Sequence, residues 1–434
     1  MLNKKLPIAS AAALAVVAAT LLMTATRAYA QQEKVLYSFG PTYQDASLPA
    51  GLVIDAAGNL YGTSSYGAYD GGTVFELTPT ATGAWTETVL YNFCPQRPSC
   101  PDGSLPNPGL VFDAAGNLYG ATRIGGAYGI GSGGYGTVFE LSPTSGGNWT
   151  ETVLHSFGKG TDGALPYAGL TFDTAGNLYG TTSDNIYDGP YGHGLYSSGT
   201  VYELSPQVGG AWAEKILHRW YDEGQALYVG LVLDAAGNLY SSTTSGSTRG
   251  GGAVFQLSPA AGGYWPEKVL SGSGGISNLI FDAAGNLYGT RSFGGTYGGG
   301  VAFELSPKAG GGWAEKALYY FGGVGHGLDG YQVSSGLIFD AAGNLYGTTE
   351  YGGGGGQECG NGMGVDGCGT VFRLTPQADG TWTETVLYLF GHGYHAKDGA
   401  YPCCGLVFDA AGDLYGTTLG GGANDMGTAF EIKP

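Results

Sequence analysis

The sequence predicts an all-β chain: a seven-bladed β-propeller with four antiparallel strands per blade, its closing blade completed by the N-terminal strand. Three observations carry this reading. A hairpin unit, written in one copy as Gly169-Leu-Thr-Phe-Asp-Thr-Ala-Gly-Asn-Leu-Tyr-Gly-Thr-Thr182, recurs with turns starting at Asp55, Asp113, Asp173, Asp234, Asp282, Asp340 and Asp409. The units return about every 60 residues, a spacing suited to four-stranded sheets stacked in a closed array. The strand inventory is offset at its ends: the last unit stops one strand short, and an orphan copy of that strand, Lys34–Phe39, stands near the start.

The first two strands, A and B, follow from the hairpin. In the third unit, A is Gly169–Asp173 and B is Asn177–Thr182. The Asp-x-Ala-Gly-Asn turn supplies a carboxylate to bind the turn's own amides and a glycine free to take positive φ. Strand C is Gly199–Leu204, closed by Ser205-Pro206, and strand D is Trp212–Trp220. Strand D is outermost, and its Thr and Glu residues discourage pairing between edges. Each complete D strand opens with a tryptophan (Trp85, Trp149, Trp212, Trp265, Trp313, Trp382), a fixed position that reads as packing. The final C strand, Gly427–Ile432, has no D strand after it. Lys34–Phe39 fills that place and seals the ring, whereas an open solenoid would need polar capping repeats.

Composition narrows the class. There are 84 glycines but no Gly-X-Y period, which excludes collagen, and 31 tyrosines exclude a disordered low-complexity chain. The net charge of −18 repels phosphate backbones, so nucleic acid is not an expected partner. Residues 1–30 read as a signal peptide: basic Lys4 and Lys5, an apolar stretch from Leu6 to Met23, and Ala28-Tyr29-Ala30 as the cleavage site. Residues 31–434 form the propeller, with no further apolar span. The expected setting is secreted, periplasmic or extracellular, and the expected state is a monomer. Among six cysteines, Cys94 with Cys100 and Cys359 with Cys368 are placed to staple their loops. Cys403 and Cys404 are adjacent, and either a vicinal bond or cross-pairing with the Cys359–Cys368 loop is open.

The consensus Gly-Leu-x-x-Asp-x-Ala-Gly-Asn-Leu-Tyr-Gly-Thr-Thr, Gly-Thr-Val-Phe-Glu-Leu-x-Pro and Trp-Thr-Glu-x-Val-Leu-Tyr-x-Phe resembles the GloVer tandem-repeat family of exported bacterial proteins. The resemblance covers essentially the whole chain after residue 30. It implies export and a repetitive fold, and it brings no catalytic residues. The hairpin is also loosely similar to those of NHL and streptogramin-lyase propellers.

Function is expected on one face. The A-to-B and C-to-D turns are short and uniform, whereas the B-to-C and D-to-A loops hold nearly all the irregular sequence, and loops on a rigid scaffold carry function. The B-to-C loops offer Tyr66, Tyr69, Tyr128, Tyr135, Tyr187, Tyr191, Tyr196, Tyr297 and Tyr351, flat amphipathic rings suited to a glycan or an extended peptide. The D-to-A loops carry Asp45, Asp102, Asp162, Asp222, Asp329 and Asp398, with none before the fifth blade. These acids read as turn-formers, or as a broken ring offering oxygens to Ca²⁺ at the channel mouth. The leading expectation is a non-enzymatic binding or scaffold propeller with a glycan or extracellular protein as partner, and no cofactor apart from that Ca²⁺ option. A second is a lyase or glycoside hydrolase using His326, His392 and His395 with Asp329 or Asp398. A third is a surface-layer or filament component.

Overall fold

In a computed structural model, the chain forms seven small antiparallel blades arranged as a ring, with no helix among the described residues. The residues described are 33–40, 46–67, 69–96, 99–130, 133–160, 162–189, 192–196, 198–220, 226–243, 252–272, 277–324, 327–333, 335–354, 359, 367–391 and 396–434. The leader thus lies outside the described residues. The first blade is Ser47–Ile54, Leu60–Tyr66, Thr73–Pro79 and Trp85–Asn92, hydrogen-bonded in that order. Closure follows the expected pattern. Glu33–Ser38 lies antiparallel to Thr428–Ile432, with Glu33 opposite Ile432 and Ser38 opposite Thr428.

The hairpin turn forms as its sequence dictates. Asp173 Oδ1 accepts the amides of Ala175 and Asn177 at 2.8 and 2.9 Å, and Oδ2 accepts the Asn177 side chain at 2.8 Å and the Tyr179 hydroxyl at 3.1 Å. Burial alone would raise this carboxyl, but the bonds from Asn177, Ala175 and Tyr179 outweigh it and hold the group below the ordinary aspartate range. Gly176 sits at φ 86°, where a side chain would be strained.

Blades adhere through aromatic side chains. The strand-B tyrosine of one blade meets the strand-D tryptophan of the next, as in Tyr61 with Trp149 at 6.2 Å and Tyr119 with Trp212 at 6.2 Å. The phenylalanine just after strand D meets the ring of strand C in the next blade, as in Phe93 with Phe139 at 5.0 Å. The glycine of Leu-Tyr-Gly admits that ring: a Cβ on Gly120 would stand 2.5 Å from Phe139 Cζ.

Two elements differ from expectation. Strand A is broken: in the third blade only Thr171–Phe172 pairs next to the turn, and Ala164–Pro166 pairs farther along strand B. Between them, Pro166 has no amide to donate and Gly169 abuts the backbone of Gly109. In the same blade, strand B runs on to Gly189 and folds back against Gly192–Tyr196, so part of a predicted loop is a ribbon.

Candidate functional site

The channel opens, on the face bearing the long loops, into a pocket of about 340 Å³. Its wall is the Gly-Leu step of strand A from five blades, Gly51, Gly109, Asn278, Gly336 and Gly405, with Gly169 and Gly230 at the same step of the other two. Six positions carry no side chain. The seventh, Asn278, is exposed, and its Oδ1 accepts the Gly230 amide at 2.8 Å. Tyr228, Pro108, Ser277, Ser335 and the Cys403–Cys404 pair complete the mouth.

Tyr228 belongs to a built shelf. It meets Tyr167 edge to face at 5.0 Å, and the Arg123 guanidinium lies 5.5 Å from the centre of the Tyr167 ring. Asp184 stands nearby, bonded by Ser183 Oγ at 2.7 Å. Burial pushes its carboxyl up, against the pull of Ser183 and Arg123.

The D-to-A loop acids do something other than ring the axis. Each described one lies at the outer seam between blades, tied to its own strand D. Asp102 accepts the Tyr91 hydroxyl and the Cys94 amide, both at 3.0 Å, and Asp398 accepts Tyr388 at 2.8 Å. Asp329 accepts Tyr319 at 3.0 Å and the Val324 amide at 3.2 Å. Asp162 takes His155 Nε2 at 3.2 Å and the Gly158 amide at 3.1 Å. Across the seam waits the strand-D glutamate of the next blade. Burial, then the facing aspartate, lifts Glu151 to about 8 beside Asp102, and Glu384 to about 8 beside Asp329. Glu33 rises to about 8 by burial and Asp398, against a bond from Tyr388. Glu214 rises to about 7, with burial leading and His155 opposing. Among the described residues, no three of His, Cys, Asp and Glu gather as metal ligands. Asp45, Asp222, His326, His392 and His395 lie outside the described residues. Asp329 and Asp398, the acids of the enzyme alternative, do not line the axial pocket.

The rim tyrosines divide. Tyr66, Tyr69, Tyr128 and Tyr297 stand 47, 47, 38 and 56% exposed. Tyr135 packs into the core between the second and third blades, and Tyr351 meets Tyr401 at 5.4 Å. Tyr187 and Tyr196 belong to the ribbon, where their backbones oppose Gly194 and Asn185, and Tyr191 lies outside the described residues. The disulfides join Cys94 to Cys100, Cys359 to Cys368, and Cys403 to Cys404, which resolves the open pairing.

Sequence reasoning passed over Asn278, Tyr228 and Arg123. A signal existed for the first: aligning the strand-A repeats leaves one non-glycine at the Gly-Leu step. Tyr228 and Arg123 belong to different blades, and no spacing links them.

Solved structures with similar folds include a protein from Lactobacillus plantarum, at 13% identity and TM-score 0.51, over 84% of this chain and 96% of that one. A protein of unknown function from Dyadobacter fermentans aligns at 12% identity and TM-score 0.42, over 93% and 98%. A luciferin-regenerating enzyme aligns at 14% identity and TM-score 0.45, over 80% and 96%. At such identities only the fold of the Lactobacillus protein is comparable. No curated protein matches the sequence. The Gloeobacter/Verrucomicrobia repeat matches over residues 22–194, 131–360 and 271–434, which together span all seven blades. With its hairpins, seams and closing strand accounted for, the chain belongs to the Gloeobacter/Verrucomicrobia repeat family.

Proposed function

We propose that the chain is an exported, non-enzymatic binding or scaffold propeller that engages a glycan or an extracellular protein through its loop-bearing face. One observation carries the reading: most of the exposed aromatic side chains stand on that face, with Tyr264 on an opposite turn and Tyr320 on an outer strand as the exceptions. Tyr66, Tyr69, Tyr128, Tyr228, Phe293 and Tyr297 are all exposed there, on B-to-C or D-to-A connections. Aromatic rings on rigid loops give contact area at small entropic cost, and clustered exposed apolar surface marks interaction sites. Three disulfides support an oxidising destination. Among the described residues, no helix is long and apolar enough to cross a membrane.

The test is a glycan array and a binding screen against purified extracellular proteins, run with the wild type and with a Tyr66→Ala, Tyr69→Ala, Tyr128→Ala, Tyr297→Ala quadruple variant. Binding that the variant loses by tenfold or more supports the proposal. Turnover of glycosides or uronate polymers by the wild type would reject the non-enzymatic reading.

A further inference from the structure

We propose that the axial pocket is a subsite for one neutral pyranose ring at the end of a glycan, held between Tyr228 and the Cys403–Cys404 disulfide and hydrogen-bonded by the Asn278 carboxamide. The proposal rests on the binding reading above and sharpens it.

Size is the first argument. The pocket holds about 340 Å³, at the small end of ligand sites, which run from about 300 to 1,000 Å³. That volume suits one sugar ring and leaves little for more.

Charge is the second. The chain carries a net −18, yet the pocket wall holds no carboxylate, ammonium, guanidinium or imidazole among the described residues; Tyr228 is its one titratable group. A charged ligand entering it would lose water and meet no counter-charge in the wall, which is costly, and the charges of Asp184 and Arg123 behind Tyr228 act on it in opposite directions. A neutral ligand rich in hydroxyls meets no such barrier.

Chemistry is the third. A pyranose presents an apolar C–H face and a polar hydroxyl edge. Tyr228, 42% exposed and fixed from behind by Tyr167, offers a flat wall that is already ordered. The half-buried disulfide of Cys403 and Cys404 offers a second wall that has no hydrogen to donate. Asn278 supplies the polar edge. The Gly230 amide occupies its Oδ1, which fixes the plane of the carboxamide and leaves the Nδ2 donors for a sugar oxygen. Asparagine stands where six blades have glycine, so this one repeat adds a polar group to the pocket wall. Part of the change is structural, since Oδ1 caps the Gly230 amide and the side chain backs onto Gly336; the Nδ2 group is the part that this role leaves over.

The test uses the full mature chain with its disulfides intact. Saturation-transfer NMR and calorimetry are run with glucose, galactose, mannose and their neutral oligomers, with glucuronic acid and glucosamine as charged controls. At least one neutral sugar should bind saturably, and the corresponding charged sugar should bind tenfold more weakly or worse. Oligomers binding more tightly than the single sugar would identify a glycan terminus as the source, and equal affinity would identify the free sugar. Asn278→Gly installs the residue of the other blades and should weaken binding about tenfold while the chain stays folded, with only a small loss of melting temperature from the missing Gly230 cap. Tyr228→Ala, as a second variant, should weaken it at least as much. The proposal fails if no neutral sugar binds, or if Asn278→Gly and Tyr228→Ala leave affinity unchanged. Loss of binding only in the rim-tyrosine variant would overturn the subsite while the broader reading stood, as would capture of a protein with no sugar affinity.

Discussion

The seam between the fifth and sixth blades and the seam between the fourth and fifth use the same repeat positions with different chemistry. In the first, Phe321 packs against Phe372 at 4.7 Å, Tyr319 donates to Asp329, and Glu384 faces Asp329 and rises to about 8. In the second, Ser271 stands at the tyrosine position, the sequence has Ser273 in register with the phenylalanine though outside the described residues, and the loop has no aspartate. Arg291 compensates. It pairs with Glu315, the counterpart of Glu384, and its guanidinium lies 4.7 Å from the centre of the Phe303 ring. Ser271 also donates to Glu315. Arg291 and Val301 sit where other blades pair two hydroxyls, as Thr182 does with Thr200 at 2.8 Å. The contrast teaches that the repeat fixes where the glutamate stands, while the groups across the seam differ: an aspartate adds to the burial that lifts Glu384, and an arginine pairs with Glu315.

The strongest way to break the comparison is to give the regular seam the serine of the other without its arginine. Phe321→Ser should cost about 3–5 kcal/mol in denaturant unfolding, the usual loss for emptying a buried aromatic site. A cost below 1 kcal/mol would mean the ring ladder does not hold the blades. Next, Arg291→Met should cost about 1–3 kcal/mol, because it leaves Glu315 without its cation. Adding Glu315→Gln should return part of that loss, and no recovery would deny the coupling.

Protonation sharpens the contrast. A glutamate raised from 4.5 to about 8 binds its proton more tightly folded than unfolded. Its stabilising share is therefore complete below the unfolded value and is lost as pH rises from about 4.5 to 8. Glu384→Gln should raise stability at pH 8.5 by about 1 kcal/mol and do nothing at pH 5. An equal effect at both pH values would show that Glu384 keeps its ordinary titration. Smallest is Asp173→Ala, which should cost about 1 kcal/mol near neutrality, since it removes turn bonds on the surface. That carboxyl is lowered, so the wild type's advantage is present above the unfolded value and fades as pH falls below about 4. Melting curves from pH 3 to 9 should therefore peak in mild acid, between the two trends.

Much of this was legible in the chain. Seven turns, the strand count and the orphan strand fix the ring, because local turn chemistry and pairing offset survive without knowledge of contacts. The seams were not legible. Glu384 and Asp329 lie in different repeats, and the sequence shows Asp329 only as a loop acid. The same gap hid the fourth-to-fifth seam, where the missing aspartate was visible but the arginine replacing it sits in a strand two connections away. The pocket was hidden because its wall is backbone, and a ring of glycines has no side-chain pattern to read.

Closure has a consequence in time. The Phe39 amide donates to the Gly427 carbonyl at 3.1 Å, and Asn424 reaches back to the Phe39 carbonyl at 3.1 Å. Two segments separated by nearly the whole described chain must meet, and among the described residues no larger loop needs closing. Loop entropy grows slowly with length, but such distant contacts make folding slow. Until the two segments meet, the seventh sheet lacks its outermost strand and the edge of Thr428–Ile432 is exposed. Once paired, Glu33–Ser38 and Thr428–Ile432 resist peeling away, because each is clamped by the other.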